Sequence, residues 1–387
     1  MSQRQILIIC GEASGDLNAG NLTKNILKID PDIKILGVGG PHLRSVGANI
    51  FYDIKDLAAI GLFDVLGKLP RFIKLQSLIL SKIKRYKPDA IIFVDFSGFN
   101  LRLAKKINNR IPTIYYISPQ VWASREGRIK TIKKYISKMI VIFKFEEEFY
   151  RRHGVSVDFV GHPLLDMVKP SIEKEDFLKK FNLSTAQKTI ALLPGSRATE
   201  VENILPIMLG ACVDITGKFA NTQFIIAKSP QVNQDIYNSK IKGINLNLQI
   251  IEGKTYDCLN ASDFCLVASG TATLETAIMK KPFLIIYKMP LLNYLLYRPQ
   301  IKVPFIGIVN IVAKRKIVPE FIQFQATPKK IAEETIKFLK HPSKMKELEQ
   351  AISRIKPLLG DKGAGLRAAE NIVDFINNTG YNKKDAQ

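Results

Sequence analysis

Acidic residues are scarce in this chain. Of its 387 residues, 35 are Asp or Glu against 57 Lys or Arg, a formal net charge of +22. That balance is a standing attraction to polyanions: nucleic acid, an anionic membrane face or phosphorylated substrates. Histidine and cysteine are rarer still, with four of each. Cys10, Cys212, Cys258 and Cys265 have no CxxC spacing and no nearby histidines, so they read as reduced core thiols of a cytosolic protein. No His, Asp or Glu cluster has ligand spacing, and "DPD" at 30–32 reads as a turn, so neither a metal nor another cofactor is expected.

Long apolar runs are also missing. The N-terminal "MSQRQILIIC" carries five consecutive apolar residues before Gly11, a first strand rather than a signal peptide. No run approaches the roughly 18 to 20 residues of a membrane-spanning helix. The glycine fingerprints of common nucleotide sites fail as well. "GEASGDLNAG" is neither G-x-G-x-x-G nor a P-loop, and "GVGGPH" places His42 where the third glycine belongs, which disfavours a nicotinamide or ATP enzyme. No nucleic-acid-binding module is recognisable, so no nucleic-acid partner is expected.

What is present is a repeated strand–helix alternation. "QILIIC", "KILGVG", "DAIIFVDF", "PTIYYIS", "KMIVIF" and "VDFVG" are continuously apolar, as strands buried on both faces of a parallel sheet should be. "TIALLPG", "TQFIIAK", "LNLQII", "DFCLVA" and "PFLIIYKM" repeat the scheme. The length exceeds what one core organises. The expectation is therefore an α/β protein of two Rossmann-like doubly wound domains with a cleft between them. Residues 1–165 form the first and 166–359 the second, the boundary being marked by Pro163, Pro170 and a charged stretch. A C-terminal amphipathic segment, 360–387, is expected to join the first domain.

Two strand-to-helix junctions carry chemistry. In "LLPGSRATEV", Gly195 permits close backbone approach, Ser196 offers a hydroxyl and Arg197 a forked cation, the parts a diphosphate needs at a helix N-terminus. A turn glycine beside a solvated arginine would look the same. In "VASGTATLE", Ser269, Gly270, Thr271 and Thr273 suit a second phosphate contact, and Glu275 could accept ribose hydroxyls. Ordinary capping is the alternative there, but two such junctions in one half favour a nucleoside-diphosphate site.

In the first half, Glu12, Ser14 and Asp16 sit in the "GEASGD" turn, where carboxylates would repel phosphate and suit a sugar hydroxyl. Asp95 ends a buried strand and is a candidate general base, or a cap for a helix starting near Phe99. His162 in "GHPLLD" lies near the domain boundary. Between Leu66 and Lys87 there are seven Lys or Arg and no acid. Leu69, Phe72, Ile73, Gln76, Ile79, Leu80 and Ile83 share a face, either a membrane-lying surface or a covering helix with a solvated basic side. "MPLLNYLLYRPQ", 289–300, is a second candidate for acyl-chain or membrane contact.

In order along the chain, "GEASGD", "SPQVWASR", "GHPLLD", "LLPGSRATEV", "ASGTATLE" and "YKM" resemble one family: lipid-A-disaccharide synthase, a GT-B glycosyltransferase (family 19) of Gram-negative bacteria. The resemblance implies an enzyme peripheral to the inner membrane on its cytosolic side. It would join UDP-2,3-diacylglucosamine to 2,3-diacylglucosamine 1-phosphate, giving a β-1,6-linked disaccharide and UDP, without metal. It implies a nucleotide site of Gly195, Ser196, Arg197, Ser269, Gly270, Thr271, Thr273 and Glu275, with Arg197 and Asp95 catalytic. Glu12, Ser14, Asn100, Trp122, Arg125 and His162 fall on the acceptor side. The family's ID-x-P-D-F-N pattern is altered here, Ser97 and Gly98 standing for its Pro and second Asp, and Ser124 stands where a second aromatic can occur. The partners implied are the two lipid substrates and an anionic membrane surface, and a homodimer is compatible. A UDP-sugar 2-epimerase on the same scaffold and a non-catalytic basic membrane- or RNA-binding protein are the rival readings.

Overall fold

The computed structural model describes residues 3–58 and 65–378. The chain divides into two compact units, residues 1–163 with 359–387, and residues 164–358.

Among the described residues of the first unit, seven strands form one parallel sheet: β1 (Gln5–Ile9), β2 (Lys34–Gly39), β3 (Asn49–Asp53), β4 (Ala90–Val94), β5 (Thr113–Tyr116), β6 (Lys138–Val141) and β7 (Val157–Phe159). Their order is β3-β2-β1-β4-β5-β6-β7. Every residue of β4 is buried, as are Ile6 to Ile9 of β1, so helices cover both faces. This is why these strands read as unbroken apolar runs.

The second unit holds, among its described residues, a six-stranded parallel sheet of order β10-β9-β8-β11-β12-β13. Its strands are β8 (Lys188–Leu193), β9 (Thr222–Lys228), β10 (Leu248–Glu252), β11 (Phe264–Ala268), β12 (Phe283–Tyr287) and β13 (Glu320–Ile322). β3 and β13 are additions to the strands expected from sequence. Both are edge strands, half-exposed along most of their length, so neither shows a long apolar run.

The two orders reverse direction between β1 and β4 and between β8 and β11. At such a switch point the loops after adjacent strands diverge and leave a crevice at the strands' carboxyl ends. The residues following β1 and β4 are Cys10–Glu12 and Asp95–Phe96; those following β8 and β11 are Pro194–Arg197 and Ser269–Gly270.

The Ala364–Asn378 helix packs on the Ala13–Ile29 helix of the first unit. Its Arg367 anchors it there, donating from Nε and Nη2 to the Val160 carbonyl at 2.9 and 2.7 Å. The polar tail, 379–387, lies outside the described residues. All four cysteines are free and buried. No helix among the described residues is long and apolar enough to cross a membrane.

The basic segment forms the helix Val65–Tyr86. Leu75 and Ile79 are its buried contacts, whereas Ile73, expected on the apolar face, is 53% exposed. The side chain of Leu69 lies outside the described ones. Phe72 reaches Phe96 and Phe99, with ring centroids 6.1 and 6.0 Å apart, so the helix covers the turn after β4.

Candidate active site

After β8 the chain turns at Gly195, whose φ of +122° is open to glycine. A Cβ there would sit 2.5 Å from Glu200 Oε2, so the close approach also demands glycine. The Ala198–Lys218 helix then starts with Arg197 as its N-cap. Its free amides already hold an anion. Glu200 Oε2 accepts from the backbone N–H groups of Ser196 (2.9 Å) and Arg197 (3.3 Å), and Glu200 Oε1 meets Arg197 Nη1 at 3.3 Å. The helix terminus, the glycine and the guanidinium thus form an oxyanion-binding turn with an internal carboxylate in it. Sequence reasoning did not assign Glu200; the signal was there, since an acid three residues after an N-cap is the spacing of a capping box.

The second junction is built on the neighbouring strand. Ser269 N–H donates to Ile286 of β12 at 2.9 Å and its hydroxyl to the Ile306 carbonyl at 3.1 Å. Gly270 and Thr271 are exposed at the start of the Thr271–Ile278 helix. Thr273 differs from expectation. It is fully buried and its hydroxyl donates back to Gly270 at 2.8 Å, so it shapes the turn from within. Glu275 accepts from the Tyr256 hydroxyl at 3.0 Å, and burial pushes its carboxyl above the ordinary value. That bond orients Glu275 while leaving its second oxygen available for a hydroxyl donor.

In the first unit, β4 ends in two consecutive left-handed residues, Asp95 (φ 53°) and Phe96 (φ 50°). Non-glycine residues in that region store strain of order 1–3 kcal/mol each and concentrate at functional turns. The turn is held from below: the Asp95 carbonyl accepts from the Tyr115 hydroxyl and from Asn100 Nδ2, the latter at 2.9 Å. Phe96 covers Gly11, where a Cβ would come within 2.3 Å of its ring. Asp95 does not cap the following helix, Ser97–Ile107, which starts without a side-chain cap. Asn100, expected among the acceptor contacts, is fully buried and serves this turn.

Glu12 and Ser14 are exposed where the Ala13–Ile29 helix begins. Asp16, expected to face a ligand with them, is instead completely buried. Its carboxylate accepts from the backbone N–H groups of Gly40, His42 and Leu43 at 2.7, 2.9 and 3.2 Å, which ties this helix to the next helix start.

The "SPQVWASR" stretch is anchored by a carboxylate that sequence reasoning passed over. Glu146 Oε1 accepts from Ser118 Oγ at 2.8 Å and Trp122 Nε1 at 2.9 Å. Trp122 meets Phe145 edge-on at 4.9 Å, so its polar edge is engaged inside and its half-exposed ring is what remains to present. Glu146 Oε2 is buried without a well-formed hydrogen bond. Burial pushes this carboxyl up to about 7, despite hydrogen bonds from Trp122, Ser118 and the nearby backbone.

Raised above its unfolded value, the group contributes stability that is full below about pH 4.5 and is lost as pH rises through about 7. Glu146→Gln, neutral at every pH and still able to accept both bonds, should gain on the wild type between pH 5 and pH 8, by up to about 2–3 kcal/mol. Thermal melts across that range check this; a constant offset between the two proteins would refute it.

His162 is buried against Phe143 at 5.0 Å, and burial lowers its pKa to about 3. It is neutral at physiological pH and cannot act there as a cationic acid. Arg125 is exposed with φ 58°, and opens the short helical turn Glu126–Arg128. Among the described residues no group of three or more His, Cys, Asp or Glu is placed to hold a metal ion.

The family model described as lipid-A-disaccharide synthetase matches residues 6–367. The chain belongs to this family. A lipid-A-disaccharide synthase of Syntrophus aciditrophicus is 41% identical over 97% of the chain and 99% of its own length. Members of the family are glycosyltransferases of lipid A biosynthesis. Among solved structures, the UDP-GlcNAc 2-epimerase from Neisseria meningitidis, bound to UDP-GlcNAc, superposes with a TM-score of 0.64 at 14% identity, covering 96% of this chain and 99% of that one. The calicheamicin glycosyltransferase CalG4 superposes with a TM-score of 0.61 at 14% identity, covering 98% and 100%. At such identities the likeness establishes the α/β GT-B fold of this family member, as expected, and says nothing of its reaction.

Proposed function

We propose that this chain transfers the diacylglucosamine unit of UDP-2,3-diacylglucosamine to the 6-hydroxyl of 2,3-diacylglucosamine 1-phosphate, inverting the anomeric carbon and releasing UDP. The observation that carries the reading, in a member of this family, is the pairing of the Pro194–Arg197 and Ser269–Thr271 loops at the carboxyl ends of adjacent β8 and β11. Two helix N-termini with Arg197 between backbone amides suit a diphosphate. Glu275, already oriented by Tyr256, would take the ribose hydroxyls. Arg197 would carry the charge that grows on the leaving phosphate, which makes a metal dispensable. Asp95 would accept the proton of the attacking hydroxyl, with Glu12, Ser14, Trp122 and Arg125 on the acceptor side.

The experiment is to mix purified protein with both lipid substrates in detergent containing EDTA and to follow products by mass spectrometry. Disaccharide 1-phosphate and UDP are expected. UDP-sugar consumption without disaccharide would favour the epimerase reading instead.

Both substrates bear acyl chains, and we place their source at an anionic membrane surface. On the Leu291–Tyr297 helix Leu291, Leu292, Leu295 and Leu296 are 51, 69, 59 and 59% exposed, and nearby Phe324 is 69% exposed. Lys288, Arg298 and Lys302 flank them, and no acid occurs between residues 287 and 306. Beside the helix lies a small, partly open recess walled by Met289, Tyr294, Ile301, Val303 and Phe305, which extends the apolar face of the leucines. Each inserted leucine is worth about 1.5–3 kcal/mol. Leu292→Ser with Leu295→Ser should therefore weaken co-sedimentation with phosphatidylglycerol-rich vesicles about tenfold or more, and unchanged binding would refute this surface.

A further inference from the structure

Arg128 and Arg102 of the first unit have no part in the reading so far, and they stand near Arg125, already placed on the acceptor side. Arg128 is half-buried, and its Nη1 donates to Ser97 Oγ at 3.2 Å, two residues beyond Asp95. Its charge is opposed by burial and by the like charges of Arg125 and Arg102; only the Tyr115 hydroxyl acts in the other direction. Arg125 is held in a left-handed conformation at the head of the same turn, and Arg102 lies on the helix that Ser97 begins. The turn's own acid, Glu126, has its Oε1 3.9 Å from His153 Nε2. A guanidinium taken partly out of water beside two others is unfavourable by itself. A doubly charged oxyanion between them adds an attraction to each guanidinium that outweighs their mutual repulsion, and forked guanidiniums match its oxygens in pairs.

We propose that Arg128, together with Arg125, Arg102 and the Ser97 hydroxyl, binds the phosphomonoester of the acceptor substrate. The inference rests on the glycosyl-transfer reading above and adds the site that distinguishes a phosphorylated sugar acceptor from a neutral one. Ser97 puts a hydroxyl at that edge of the site, already in contact with Arg128 Nη1. Ser97, through which Arg128 meets the β4–helix turn, lies two residues beyond Asp95, so a phosphate held by the cluster sits beside the turn of the proposed base.

The test compares diacylglucosamine 1-phosphate with diacylglucosamine as acceptors. Arg128→Ala should raise KM for the phosphorylated acceptor about tenfold or more, since a hydrogen bond to a charged group is lost. It should leave the donor KM and the use of the neutral acceptor nearly unchanged, and Arg128→Lys should recover part of the loss. Arg102→Ala, at an exposed position that puts folding at little risk, should shift the same ratio by a smaller factor. If the wild type makes disaccharide and both alanine variants affect the two acceptors equally, the phosphate site is wrong and the transferase reading stands. If the wild type makes no disaccharide from either acceptor, both fall.

Discussion

Arg197→Ala should lower kcat by about 10²- to 10³-fold, a barrier increase of about 2.7–4 kcal/mol, the usual loss when one oxyanion donor is removed. The guanidinium meets Glu200 at 3.3 Å, and the same carboxylate holds the amides of Ser196 and Arg197. A diphosphate entering this turn therefore competes with a carboxylate for the same amides and guanidinium. As the glycosidic bond breaks, negative charge grows on the leaving phosphate but not on Glu200, so the interaction strengthens in the transition state. The effect should appear in kcat more than in donor KM. A variant with near-normal kcat and a raised KM would show that Arg197 binds the ground and transition states equally.

Asp95→Asn should cost about 10² to 10⁴ in turnover, the range for a lost general base. The asparagine keeps the size of the side chain and can still accept from the Phe96 N–H, 3.1 Å away in the wild type, so the strained turn should persist. The rate should lose its fall toward acidic pH, because the group whose protonation stops the reaction is gone. UDP affinity, assigned to the other unit, should not change. Full activity in Asp95→Asn would move the role to another carboxylate, and exposed Glu12 at the neighbouring strand end would be tested next.

Much of the architecture was legible in the residues alone because buried parallel strands have an unmistakable signature. β4 and β11 are buried at every position, so their apolar runs had no competing reading. The edge strands β3 and β13 escaped because a half-exposed strand tolerates polar residues and loses that signature. The two loops proposed to hold the nucleotide stood out for a related reason: close backbone approach needs a glycine, and Gly195 and Gly270 both fall at strand-to-helix turns. Glu200 was readable in principle from its capping spacing, whereas Arg128 and Glu146 were not, since their partners Ser97, Ser118 and Trp122 lie 31, 28 and 24 residues away.

The sequence by itself determined the α/β class, the family and the strand ends proposed as the site, because each depends on local patterns of burial and backbone freedom. Tertiary structure alone decided which polar side chains face inward. It put Asp16, Asn100 and Thr273 in the interior as struts of their turns, and engaged the indole N–H of Trp122 through Glu146. The physical reason is that a buried polar group must find its hydrogen-bond partners wherever the fold supplies them. Those partners come from strands and helices far apart in the chain, so neither composition nor spacing can announce them.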